Sequence, residues 1–377
     1  MDELSYQYEI LYRHIAQGIT NGDWKPGDQL PTEMQLADQF GVSRITSKRA
    51  LNLLADQGLV VRKRGLGTFV SQSLQPGRFM ASARLKMAAS KNGQRRIGLI
   101  MEDLGESYAM SLFYALDQLA SQRGFQICLG VSYGQQAVER KSLHQLLALD
   151  VEGLLVMPAH GTYYDTDLLR LVLDHFPVVL LDRPLLGIPA PCVCSRHEEG
   201  ASMLTQHLQS RGHRRIMYLT SEVSEAISLE DRYQGYKKAM EGAGLTAALP
   251  VVVPQVAQFA YPAHPQDRGQ PATQEFLMNW LNAHQEVSAV VCAEYGIARL
   301  VHAAARQLGR DDPKDLSICC FDEKYGYLGE YFFTHVKQDE TAIAHSALDI
   351  LESMLANKNM RRQIRQIPVE LMEGKST

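Results

Sequence analysis

The chain has 377 residues, 45% of them hydrophobic, and a formal net charge of −4, which predicts two or three domains with ample material for packed cores. No run of about 18 apolar residues occurs, which argues against a membrane-spanning helix. The acidic, polar start Met1-Asp2-Glu3-Leu4 lacks the basic and apolar segments of a secretory leader, so a cytoplasmic location is expected.

A first helix is expected over residues 6–21, where Ile10, Leu11, Ile15 and Ile19 recur near helical spacing. Asn21-Gly22-Asp23 stops it, and Pro26-Gly27 turns a short extended piece. Thr32 is the expected N-cap of a second helix, with Gln35 as its capping-box partner. Leu36, Ala37 and Phe40 face inward and Gly41 ends the helix. Ser43 caps a third helix with Ala50, Leu51 and Leu54 as its buried stripe. The opposite face begins with Ser43, Arg44, Thr46, Ser47 and Lys48. Small hydroxyls there can approach phosphates or base edges, and Arg44 can fork onto guanine in the major groove.

Two strands follow, at 58–62 and 67–70, joined by the basic turn Lys63-Arg64-Gly65-Leu66. Such a hairpin tip suits the minor groove or the phosphate backbone. From Gln57 to Met101 there are nine basic residues and no acidic one, so a polyanion is favoured there by local charge. The capped helix pair, the basic helix end and the wing together predict double-stranded DNA binding.

Residues 6–71 resemble the winged helix-turn-helix of GntR-family bacterial transcription regulators. The resemblance is carried by Pro26-Gly27, Leu30-Pro31-Thr32-Glu33, Phe40-Gly41-Val42-Ser43-Arg44-Ile45-Thr46, Arg49-Ala50-Leu51, Gly58-Leu59 and Gly65-Leu66-Gly67-Thr68-Phe69-Val70. It implies that Ser43, Arg44, Thr46 and Lys48 sit in the major groove and that Arg64 and Gly67 lie on the wing near the minor groove; Arg49 completes the DNA-binding candidates. Where the family usually has Val-Arg, this chain has Ser47-Lys48. Lysine keeps the charge but loses the planar fork, so a phosphate contact is expected of Lys48.

Residues 72–94 lose apolar periodicity and carry Pro76-Gly77, Ala88-Ala89-Ser90 and Asn92-Gly93 among scattered Arg and Lys, which reads as a tether. The expected domains are therefore 1–71, the linker 72–94 and a large unit over 95–377. In that unit, apolar strands at 97–101, 127–131, 153–158, 178–182, 215–219, 250–253, 289–292 and 316–322 alternate with amphipathic helices, the later ones at 167–175, 199–211, 232–244, 273–283, 297–309 and 339–357. This predicts an α/β class, with parallel sheets covered on both faces and a ligand cleft between two similar lobes. The six cysteines include no CxxC paired with His at zinc spacing, so reduced thiols and no metal site are expected.

Loops after strands carry the chemistry in such sheets. They offer Asp103, Ser107, Tyr108, His160, Arg183, Arg232, Glu294, Tyr295 and Asp322 as candidate effector-binding residues. Carboxylates, arginines and aromatics in that mixture suit a polyol, whose hydroxyls both donate and accept while a ring packs on the apolar sugar face. Any one of them could equally be a cap or an ion pair between loops.

The stretch from Arg96 to about Met372 resembles the effector domain of LacI/GalR regulators, related to periplasmic sugar-binding proteins. The carrying residues are Val179-Leu180-Leu181-Asp182-Arg183, Gly200-Ala201, His207-Leu208, Gly212-His213-Arg214-Arg215-Ile216, Arg232, Gly235-Tyr236, Phe321-Asp322 and Lys337-Gln338-Asp339. With the GntR-like head, the architecture resembles arabinose-repressor regulators. The resemblance implies a type I periplasmic-binding-protein-like sandwich, Arg232 and Asp322 on sugar hydroxyls, and a homodimer formed through this unit. Two departures stand out: Arg196-His197 where the family commonly has Asp-Asn, and Glu294-Tyr295 where it commonly has Asn-Asp. The second lies in the cleft, so a sugar other than arabinose, or a derivative of amine or cation character, is open.

The expected function is a transcription regulator, most simply a repressor, whose operator affinity is set by a small effector, with an arabinose-like pentose as first guess and no cofactor. The alternatives are an enzyme or a transport-type binding domain fused to the head. No Gly-x-Ser-x-Gly elbow, Walker loop or GxGxxG after the first strand supports the enzyme.

Overall fold

The structure is a computed structural model, and the described residues are 11–12, 14–16, 18–19, 22–56, 59–63, 66–72, 95–104, 107–159, 166–185, 190–221, 227–254, 271–322, 332–356 and 363–377. In the head, the described helical residues between 11 and 19 bury Leu11, Tyr12, Ile15 and Ile19. Helix α1 (Glu33–Phe40) opens on the expected capping box, Thr32 accepting from the Gln35 amide, and closes on Gly41 at φ 63°. Helix α2 (Arg44–Asp56) follows, its Thr46 amide donating to Ser43 Oγ at 3.1 Å. Strands β1 (Val60–Lys63) and β2 (Gly67–Val70) form the antiparallel wing, Val60 opposite Val70. Gly67 holds φ at 114° and has the Gln29 amide against it, so a side chain there would be strained and crowded.

Two sheets of six strands follow. The first has the order β13-β7-β6-β5-β3-β4 and is parallel throughout. It is built from β3 (Arg95–Met101), β4 (Phe125–Val131), β5 (Leu154–Val156), β6 (Val178–Leu181), β7 (Cys192–Ser195) and β13 (Ile364–Ile367). Helices α3 (Ser107–Gln122), α4 (Gln136–Ala148) and α5 (Thr166–Leu173) connect its strands. The second sheet has the order β14-β12-β11-β10-β8-β9 and is parallel except for β14. Its strands are β8 (Ile216–Ser221), β9 (Val251–Val253), β10 (Ala289–Cys292), β11 (Ser317–Phe321), β12 (Thr334–Gln338) and β14 (Val369–Met372). Its helices are α6 (His197–Ser210), α7 (Ile227–Gly242), α8 (Pro271–Ala283) and α9 (Tyr295–Gln307).

The chain passes between the sheets three times. Strand β7 of the first sheet leads into α6, which packs on the second. Strand β12 of the second leads into α10 (Glu340–Leu355), which returns to pack on α3, β6 and β7. Strand β13 of the first then passes through Pro368 to β14 of the second. Strands β13 and β14 are absent from the sequence expectation because they are edge strands with mostly uncovered positions, so neither carries an unbroken apolar run. Apart from Gln72, the expected linker lies outside the described residues.

All six cysteines are free, and five are buried. Among the described residues no group of side chains could hold a metal ion, and no helix is long and apolar enough to cross a membrane.

Candidate functional site

On the head, Arg44 projects from the first turn of α2 with its side chain 73% exposed, yet its Nε lies 3.2 Å from Glu33 Oε2. Arg62 of the wing bonds the same carboxylate and also Asn52. Burial works to raise the Glu33 pKa, but hydrogen bonds from Arg62 and then Arg44 override it and hold the carboxyl below its usual value. Glu33 therefore orients two arginines, one on the helix and one on the wing. Sequence reading placed it only in a family pattern, because nothing local shows that Glu33 and Arg62, 29 positions apart, meet.

Ser43, Lys48 and Arg49 are exposed on this surface. Thr46 is not: it is buried, and its hydroxyl is 2.8 Å from Ser43 Oγ. The expectation that Thr46 faces the groove is corrected on that ground; it completes the helix cap. Ser47 is buried too, donating to the Glu33 carbonyl at 2.7 Å. The side chain that does stand out is Ile45, at 81% exposure between Arg44 and the buried pair. Gly67 lies at the start of β2, and Arg64 lies outside the described residues.

In the body, Asp182 and Asp322 occupy matching places, one residue past β6 and β11, and both take left-handed backbone conformations, φ 68° and 59°. Such positions are sparsely populated by non-glycine residues and cluster at functional sites. Arg232, buried in the second turn of α7, donates from Nε to His197 Nδ1 at 3.3 Å and from Nη1 to the Ala293 carbonyl, and lies flat over Phe321. His197 Nε2 faces Asp182 Oδ1 across 3.8 Å. Burial, then the Arg232 charge, pushes the His197 pKa down to about 3, so the ring is neutral and joins the two lobes without adding charge.

Asp322 accepts from Gln338 Nε2 at 2.9 Å. Its burial raises the pKa to about 7 against the pull of Arg232 and Gln338. Tyr108 reaches the same region from α3: burial and the nearby charges of Asp182, Asp322 and Glu340 drive its phenol well above its ordinary range. Among the described residues, the buried polar atoms here that have no hydrogen-bond partner include Tyr108 Oη, His197 Nε2, Glu294 Oε2 and Gln338 Oε1. Buried polar atoms are normally satisfied, and each left open costs about 1–3 kcal/mol.

The other expected cleft residues divide between the described and the undescribed. Asp103 is half-buried just past β3; Ser107 opens α3, but its side chain lies outside the described residues, as does all of His160. Arg183 is corrected from ligand fork to wall support. It is 5% exposed and held by the Pro158 carbonyl and the Glu102 carboxylate. Tyr295 packs edge-on to Phe333 at 6.0 Å. Sequence reading missed His197, Gln338 and Phe321 as site residues. The signal available was position: His197 and Gln338 flank two of the three passages between sheets.

An open groove of about 820 Å³ runs between α6, α7 and Gln366; on its rim Arg196 pairs with Glu199 at 3.1 Å and Lys238 with Glu198 at 3.0 Å.

Comparison with known proteins agrees with both halves. A family of bacterial regulatory proteins, the gntR family, matches residues 7–70, and a periplasmic binding protein-like domain matches residues 205–377. The chain is similar to an arabinose metabolism transcriptional repressor from Geobacillus stearothermophilus, 24% identical over 94% of this chain and 92% of that one. Among solved structures it resembles the transcription regulator CcpA of Lactococcus lactis, with TM-score 0.63, 19% identity, and 75% and 99% of the two chains covered. It also resembles the lac repressor dimer bound to operator and an anti-inducer, with TM-score 0.61, 18% identity, and 78% and 98% covered.

Proposed function

Because this chain joins a gntR-family helix-turn-helix head to a periplasmic-binding-protein-like body, we propose that it is an operator-binding transcription repressor controlled by a small polyol. The bounds we assign are 1–71 for the head, 72–94 for the linker and 95–377 for the effector body. The observation that carries the reading is the cleft itself: buried polar atoms on Tyr108, His197, Glu294 and Gln338 stand open around Arg232 and Asp322. A polyhydroxylated ligand supplies donors and acceptors to all of them at once. Phe321 and the flat guanidinium on it give that site a rigid wall.

The proposed mechanism runs through the passages. Tyr108 and Asp182 belong to the first lobe, Arg232, Glu294 and Asp322 to the second. A ligand bonded to both sets changes the angle between lobes, and in a homodimer that changes the spacing of the two heads against the operator half-sites. An arabinose-like pentose is the first candidate, by similarity to the arabinose repressors. The reading gives the body no catalytic role and places the protein in the cytoplasm.

The test is fluorescence anisotropy of the full chain on its selected operator and on random duplex, with and without a panel of sugars. Selective operator binding that weakens with one sugar is expected. Equal affinity for operator and random DNA would sink the regulator reading, and an operator complex indifferent to every sugar would sink the effector half.

A further inference from the structure

The charge inventory of the cleft narrows the ligand beyond a generic polyol, an inference that rests on the effector-cleft reading. Four carboxyl groups surround the site: Asp182 and Asp322 at the ends of β6 and β11, Glu294 at the N-cap of α9, and Glu340 at the start of α10. Burial raises the pKa of Asp322 to about 7 and that of Glu340 above its ordinary value, so a cation there also relieves the cost of ionising them. Asp339 caps α10, its Oδ1 taking the Ala342 amide at 2.8 Å. Among the described residues, the cations that face them are few. Arg232 is held by His197, the Ala293 carbonyl and Phe321. Arg183 is engaged by Glu102 and Pro158, and Lys337 is exposed. His197 is neutral.

Of the open atoms, Tyr108 Oη and His197 Nε2 can donate to a ligand hydroxyl, and the other two lack a donor. Glu294 Oε2 and Gln338 Oε1 are both acceptors, both buried and both without a donor. Gln338 is 1% exposed, and its amide nitrogen is already on Asp322, so its free oxygen lies at the same spot. A hydroxyl would satisfy one acceptor but bring no charge to set against the Glu294 and Asp182 carboxylates. An ammonium group brings three donors and a compensating charge. Carboxylate- or phosphate-bearing sugars are disfavoured by the same carboxylates.

We propose that the effector is a polyol carrying a protonated amine, an amino sugar or amino-alditol, with its ammonium on Glu294 and its hydroxyls shared among Arg232, Asp322, Asp182 and Tyr108. Glu294, standing where the family commonly has asparagine, is then the specificity determinant.

The experiment uses calorimetry and thermal melting of the full chain with matched probes on one skeleton: D-glucosamine, D-glucose and N-acetyl-D-glucosamine, then the same three in the galacto series. The amine of at least one series is expected to bind about tenfold or more tighter than its hydroxyl and acetamide counterparts. In Glu294→Gln the ratio of amine to hexose affinity is expected to collapse toward one. A parent hexose or acetamide that binds as tightly as the amine, amines that produce no shift in either series, or an advantage that survives Glu294→Gln would each overturn the proposal. Operator titration of the same preparation separates the two readings. Selective DNA binding with a neutral sugar preferred removes only the amine; loss of DNA selectivity removes the regulator.

Discussion

The guanidinium of Arg232 lies 3.9 Å from the centroid of the Phe321 ring, while its nitrogens hold His197 and the Ala293 carbonyl. One side chain thus binds together the start of α6, the end of β10 and the end of β11. A lysine keeps the charge but offers neither the flat face nor the fork. Arg232→Lys is therefore expected to cost about 1.5–3 kcal/mol of effector affinity, the range for losing a hydrogen bond to a charged group. Isothermal titration measures it; unchanged affinity would make Arg232 a structural strut only.

Asp322 gives a pH dependence of defined sign. Its folded pKa, about 7, lies above the ordinary aspartate value of 3.8, burial being the main cause. The native state therefore binds more protons than the unfolded chain between those two values. Stability contributed by the protonated form is full below about pH 4 and is lost as pH rises toward 7. At about 1.4 kcal/mol per pH unit between the two values, the ceiling is about 4 kcal/mol. From about pH 5 to about pH 8, ligand-free wild type is expected to lose more melting temperature, or gain less, than Asp322→Asn. Asp231 and Glu340, raised by burial, add slope of the same sign to both proteins, and His197, His207, His213 and His335, lowered by burial, add slope of the opposite sign to both, so the difference between wild type and Asp322→Asn is the readout. Parallel slopes would show that Asp322 does not titrate in this window.

Legibility in the sequence tracks how local each feature is. The Thr32–Gln35 capping box, the stop at Gly41 and the Ser43 cap need only neighbours within a few residues, and each formed as expected. The alternation of apolar strands with helices announced two parallel sheets because a strand buried on both faces has little choice of residue. Thr46 and Ser47 misled because a hydroxyl at a helix start serves equally as a groove contact or a cap, and only the tertiary position of Ser43 and Glu33 decides between them. Gly235 stood in the family pattern with no visible reason. In the fold a methyl there would collide with the Glu198 carbonyl where α6 crosses α7. Arg183 misled for a related cause: its partner Glu102 is 81 residues away.

Two residues of α2 are expected to divide base reading from phosphate anchoring. Arg44 is exposed but aimed by Glu33, a geometry suited to a bidentate contact with guanine. Lys48 is exposed one turn on, with a point charge and no fork. Arg44→Ala is expected to cost about 1–3 kcal/mol on the operator and to relax preference at one base position. Lys48→Ala is expected to weaken operator and random DNA alike and to lower the salt slope by about one. Salt titrations on both duplexes measure the contrast; a lysine variant that changed sequence preference would reverse the assignment.

Ile45 is the last member of that surface and the least expected from sequence. An isoleucine 81% exposed in the first turn of α2 gains nothing from water. Its neighbours Arg44, Lys48 and Arg49 are the polar groups of the same surface. The apolar feature that the major groove presents is the C5-methyl of thymine. Removing the isoleucine branch or the thymine methyl should therefore cost about 1 kcal/mol each, near the value of one buried methylene. Removing both should cost no more than either alone, since each loss deletes the same contact. The cycle pairs Ile45→Ala with operators in which single thymines are replaced by uracil, read by anisotropy. Additive losses at every thymine would place Ile45 against something other than a base methyl.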